Sequence, residues 1–112
     1  MIEGDDLAAF VVRILPEFES TLATHWESWC CDEGVIYPMI DGLRLFIERL
    51  WAEADPPYRE DVFKRFFWIV DRLISDGHPS VRDCVVLEIV EPAPPVWSNY
   101  FGPKAMKFVR SP

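Results

Sequence analysis

At 112 residues, half of them hydrophobic and with five tryptophans, the chain can bury a core for one domain without metal or disulfide staples. Its net charge of −8 argues against nucleic acid and anionic membranes as partners, and no run approaches the roughly 18 apolar residues of a membrane span. That charge is uneven: residues 1–55 hold twelve acids and three bases (net −9), and residues 56–112 hold seven acids and eight bases (net +1).

The start, Met1-Ile2-Glu3-Gly4-Asp5-Asp6, carries acids where a secretory signal carries bases, and Arg13 interrupts the first apolar stretch. A cytoplasmic location is therefore expected. The three cysteines agree with it, because an odd count with Cys30 and Cys31 adjacent is not a disulfide framework. Cys84 lies in an apolar run and reads as a small buried hydrophobe.

Apolar spacing is helical almost throughout. Leu7, Phe10, Val11, Ile14 and Leu15 form one stripe, with Asp5 or Asp6 as N-cap and Pro16 as the stop. Pro16 can open a second helix carrying Phe18, Leu22, Trp26 and Trp29 on one face and ending near Cys31. A third helix is expected from about Pro38 to Ala54, with Leu43, Phe46, Ile47, Leu50 and Trp51 as its stripe. The fourth, about Tyr58 to Ser75, is apolar over more than half its circumference through Val62, Phe63, Phe66, Phe67, Ile69, Val70, Leu73 and Ile74, the mark of a central helix.

Asp76-Gly77 is a stop signal, with Gly77 able to take the left-handed C′ position. His78-Pro79-Ser80 reads as a helix start. The run Val81–Val90 has the β-branched content of a strand, yet a lone strand among helices has no partner, which favours helix. Pro92-Ala93-Pro94-Pro95 is a stiff loop, after which Trp97, Tyr100 and Phe101 are placed to seal one end of the fold. Gly102-Pro103 opens a last short helix, Lys104 to Arg110. The expected fold is all-α: one domain over residues 1–112, a compact bundle of five to six antiparallel helices or a short HEAT-like stack of helix pairs.

Four segments carry a resemblance: Leu15-Pro16-Glu17-Phe18, then Asp76-Gly77-His78-Pro79-Ser80-Val81-Arg82-Asp83, then Leu87-Glu88, then Phe101-Gly102-Pro103. In this layout the chain resembles, over nearly its full length, a set of small uncharacterised bacterial proteins, a domain of unknown function. The Asp76–Arg82 turn is also similar to the helix starts of HEAT-like repeats. Such proteins look like the immunity proteins that neutralise polymorphic toxins. The resemblance implies a small acidic protein without catalytic residues.

Residue chemistry points to binding rather than to a reaction. His25, Cys30, Cys31, Asp32 and Glu33 lack the paired spacing of a zinc site. His78 has no nucleophile at a triad spacing and reads as a capping or surface histidine. There is no glycine-rich phosphate loop. The reading is of a protein that is not an enzyme, with no catalytic residues, no cofactor and no metal. The run Trp26–Gly34 mixes acids with large aromatics, although Trp26, Trp29 and Trp51 also fall on apolar stripes where core packing is the default. Trp29 and Tyr37 flank the Asp32-Glu33-Gly34 loop and are the best anchors for an interface. The candidate partner-binding residues are Glu27, Trp29, Asp32, Glu33, Tyr37 and Asp41. The expected partner is a cognate protein toxin or another basic protein, met by a monomer or small homo-oligomer of this chain. The alternative is a structural or adaptor helical module of a larger complex.

Overall fold

The computed structural model describes residues 1–20 and 36–109, the side chains of 36–38 excepted. Five α-helices lie among the described residues: α1 (Leu7–Ile14), α2 (Ile36–Glu53), α3 (Pro56–Asp76), α4 (Pro79–Val85) and α5 (Pro103–Met106). Short 3-10 turns at Gly4–Asp6, Pro16–Phe18 and Pro95–Asn99 join or flank them. The fold is all-α, and no strand occurs among the described residues. No described helix is long and apolar enough to cross a membrane.

The 21-residue helix α3 is the hub, touching α1, α2, α4 and α5. Its eight apolar positions from Val62 to Ile74 are all buried, because neighbours cover both flanks of its wide apolar face. Leu7, Phe10, Val11 and Leu15 meet it from α1 and its end, and Leu43 and Ile47 do so from α2. Pro56 and Pro57 begin α3 two residues earlier than Tyr58, since a first-turn proline lacks only an N–H that would have no intrahelical partner. Pro16 opens a 3-10 turn after α1, and the stretch of the second expected helix from residue 21 to Cys31 lies outside the described residues.

Val81–Val90 is helical, with a refinement. After Val85 the turn widens to π over Val86–Val90, and the Glu91 N–H donates to the Val86 carbonyl at 2.9 Å. Continued α-helical spacing from Val81, Cys84 and Val85 would carry Glu88 into the core. One extra residue in the turn instead buries Ile89 and Val90 and leaves Glu88 half-buried and Leu87 exposed. The β-branched content is thus met by a wider helix.

Two end signals act differently from expectation. Neither Asp5 nor Asp6 caps α1: Asp6 is its N-cap residue but is itself near-helical and makes no side-chain cap bond, because the Gly4–Asp6 turn runs directly into the helix. Gly77 is extended (φ −76°, ψ 152°) rather than left-handed. Its need for glycine comes from close approach, since a Cβ would lie 2.2 Å from the Leu73 carbonyl oxygen. The extended N-terminal residues lie alongside: the Ile2 N–H donates to the Asp76 carbonyl and the His78 N–H to the Ile2 carbonyl, both at 2.8 Å.

Trp97, Tyr100 and Phe101 do close one end. Trp97 and Phe101 are buried and Tyr100 half-buried against Phe63 and Phe67, most rings meeting edge to face at 5.0–6.1 Å. Helix α5 stops at Met106, short of the expected Arg110. Its first two free N–H groups, of Lys104 and Ala105, donate to the Asp71 carboxylate on α3, a cap supplied from 33 residues away.

Candidate partner-binding surface

Glu27, Trp29, Asp32 and Glu33 lie outside the described residues, as do His25, Trp26, Cys30 and Cys31. Tyr37 is in the first turn of α2, with its side chain likewise outside the description. Of the six candidates, Asp41 is the one whose side chain is described.

Asp41 sits one turn before Arg44 on α2 and is ion-paired to it, while Glu48 one turn later binds the same guanidinium at 3.0 Å. Held between two carboxylates, chiefly by its hydrogen bond to Asp41, Arg44 has its pKa raised further. Arg49 and Glu53 form a looser pair at 3.8 Å, both largely exposed. The acids of α2 therefore have partners on the helix itself, Asp41 in Arg44.

Glu17 has a partner too. Arg65 of α3 grips its carboxylate through both terminal nitrogens, one bond being 2.8 Å, donates to the Ile14 carbonyl at 3.0 Å, and pairs with Asp61 at 2.8 Å. The Arg65 hydrogen bond holds the Glu17 carboxyl below its ordinary value of 4.5, and the same contact raises Arg65. This fork fastens the Leu15–Phe18 turn onto the hub helix.

What stays open is narrower than the sequence half. Glu3, Asp5 and Asp6 at the N-terminal turn, with Glu19 and Asp55, are exposed and make no ion pair among the described residues. In the second half five of the seven acids have assignments: Asp61 pairs with Arg65, Asp76 with Arg72 and Asp83 with Arg82, Glu60 accepts from the Tyr100 hydroxyl at 2.7 Å, and Asp71 caps α5. The acidic polarity of the sequence thus persists on the described surface, but on fewer residues.

Two groups with chemical potential have structural work. Cys84 is fully buried, and desolvation, then the charges of Glu88 and Asp41, push its thiol up to about 12, so it is no nucleophile at neutral pH. His78 is the N-cap of α4: its Nδ1 accepts from the Ser80 N–H at 3.1 Å and lies 2.8 Å from the Ser80 hydroxyl. No group of three or more His, Cys, Asp or Glu gathers for a metal among the described residues.

Sequence reasoning missed the Glu17–Arg65 fork, the Asp71 cap, and Arg59, whose guanidinium lies 4.5 Å from the Trp51 ring centre and donates to the Trp51 carbonyl at 3.0 Å. The first two join residues 48 and 33 positions apart, beyond any local pattern. Arg59 could have been suspected from Trp51 and the tight Asp55-Pro56-Pro57 turn between them. No family model, no curated protein and no solved structure matches this chain.

Proposed function

We propose that this is a small acidic binding protein of the immunity type, which neutralises a cognate bacterial toxin by direct protein–protein contact in the cytoplasm. The observation that carries the reading is the charge asymmetry: residues 1–55 hold net −9, and Glu3, Asp5, Asp6, Glu19 and Asp55 have no internal ion pair among the described residues. Unanswered acids on a folded domain raise the on-rate for a basic partner, and self-protection against a toxin needs that speed. A nuclease is one suitable target, since its own cleft must be positive to hold phosphate. Glu27, Trp29, Asp32, Glu33 and Tyr37 form the proposed contact, acids giving approach and aromatics giving residence. Asp41 contributes less, because Arg44 already holds it.

The test is a tagged pull-down from bacterial lysate at low and high salt, followed by titration of the captured protein against wild type and an Asp32→Lys, Glu33→Lys double variant. One basic partner that associates more slowly at high salt and loses affinity to the double variant supports the reading. Equal affinity of wild type and double variant removes the site. Half-exposed Trp68 and Leu87 favour a second reading, an adaptor module within a larger complex; several partners held by salt-insensitive contacts would favour it instead.

A further inference from the structure

On this acidic protein, one of the described grooves has two arginines and one carboxylate among its walls. It is open, about 470 Å³ in volume, and lies between the N-terminal residues, α1 and the C-terminal half of α3, with Ile2, Phe10, Arg13, Arg72, Ser75 and Asp76 among its walls. Its Arg13, Phe10 and Arg72 belong to a continuous series that passes outside the groove walls through Trp68. The Arg13 guanidinium lies 5.8 Å from the Phe10 ring centre, Phe10 stacks on Trp68 at 6.3 Å and 27°, and the Arg72 guanidinium lies 5.7 Å from the Trp68 ring centre. Lys64, exposed one turn before Trp68, extends the row along α3.

Two features suit this series to a ligand. Arg13 is exposed and makes no ion pair among the described residues, although most of the other described arginines do. Trp68 is half-exposed, the largest side chain left in that state on the described surface. A guanidinium lying over a ring keeps its N–H edge free for a carboxylate. Arg72 already meets Asp76 at 2.7 Å, but its fork has five donors and one carboxylate cannot use them all.

We propose that this groove, with the exposed Trp68 beside it, is a second interaction surface that takes an acidic, apolar-bearing segment of a partner protein, its carboxylates on Arg13 and Arg72 and an apolar side chain against Trp68. Charge complementarity selects the occupant. The two guanidiniums flank the Phe10–Trp68 ring pair, which suits carboxylates spaced along a short peptide. The field of a protein with net charge −8 opposes every anion, and most of all the dense charge of polyphosphate chains and anionic bilayers, so a short segment with a few carboxylates and apolar side chains is opposed least. The walls named here share no residue with the proposed toxin contact, and the two are tested by different substitutions, so either assignment can fail while the other stands.

The test is fluorescence anisotropy of the full chain with a labelled octapeptide of alternating glutamate and leucine, beside the same peptide with glutamine for glutamate. Saturable binding of the glutamate peptide is expected, weakened at least about tenfold by Arg13→Glu. Asp76→Asn should tighten it roughly threefold, because the substitution releases Arg72 from its present carboxylate. Opposite effects of the two variants cannot come from loss of folding, which would weaken binding in both. The proposal is overturned if neither peptide binds, if the glutamine peptide binds equally well, or if Arg13→Glu leaves affinity unchanged. It is also overturned if phosphatidylserine vesicles or single-stranded DNA bind where the glutamate peptide does not.

Discussion

Trp97 and Trp68 both belong to the surroundings of α3, and their fates are opposite. Trp97 arrives from the loop after α4, is 2 % exposed, and is ringed by Phe63, Phe66 and Phe67, its indole N–H buried with no acceptor among the described residues. Trp68 stands on α3 itself, is 50 % exposed, and has Phe10 on one side and Arg72 over its ring. The same residue type closes the core on one face of the helix and builds a surface on the other. The helical stripe decides which: positions 63, 66, 67 and 70 face inward, and 64, 68, 72 and 75 form the exposed row. Stability is concentrated on the first face, and the capacity to meet a partner on the second.

The strongest way to break that contrast is to truncate the inner tryptophan. Trp97→Ala should cost about 3–5 kcal/mol, the range for removing a fully buried large aromatic, and a urea denaturation midpoint would show it. Trp97→Phe sharpens the point. It keeps most of the ring volume and removes a donor that lacks an acceptor, so the loss should stay below about 1.5 kcal/mol. A Phe variant as damaged as the Ala variant would mean that the indole N–H has a partner that the packing geometry does not reveal.

Gly77 comes next. Both faces of α3 end there, the inner one at Ile74 and the outer one at Ser75, and the Ile2 strap crosses beside it. Gly77→Ala places a Cβ 2.2 Å from the Leu73 carbonyl oxygen, which must move because backbone cannot yield as a side-chain tip can. The expected cost is about 1–3 kcal/mol. A thermal melt unchanged from wild type would show that the α3–α4 turn can adjust freely.

The Glu17–Arg65 fork is worth less, and its effect depends on pH. The folded-state carboxyl titrates below the ordinary 4.5, so its contribution is complete above that pH and is lost as pH falls through the depressed folded value. Glu17→Gln should destabilise by about 1–2 kcal/mol at pH 7. The difference from wild type should shrink as the pH is lowered beneath 4.5. A constant difference across that range would assign the effect to lost packing rather than to lost charge.

These cases also show what local pattern can and cannot reveal. The buried set of α3 was legible residue by residue, because eight apolar positions on a 21-residue helix leave little freedom about which side faces in. Val81–Val90 was legible as helix but not as a π-widened one, since the widening answers a register conflict at Glu88 that exists only once α4 is packed. Gly77 was recognisable as a stop, while the reason for glycine depended on a carbonyl four residues back in three dimensions. Of the candidate contact, the acidic polarity was readable from charge counts alone. The pairing of Asp41 with Arg44 was available from i, i+3 spacing, whereas Glu17's tie to Arg65 was not.

The smallest stability change is expected where the tryptophan is outside. Trp68→Ala removes a ring that already shares half its surface with water, and an exposed cation–π contact contributes only about 0.5–1 kcal/mol. Phe10 loses a stacking neighbour but keeps its burial within the core. The loss should therefore be near 0.5 kcal/mol, close to the scatter of ordinary surface substitutions, while affinity for the glutamate peptide falls several-fold through the missing ring beside the groove. That separation of stability from binding is what an interaction surface requires. If Trp68→Ala instead approached the loss caused by Trp97→Ala, the outer row of α3 would be a second core seam covered by Arg13 and Arg72. The arginine–aromatic series would then be packing rather than a place for a partner.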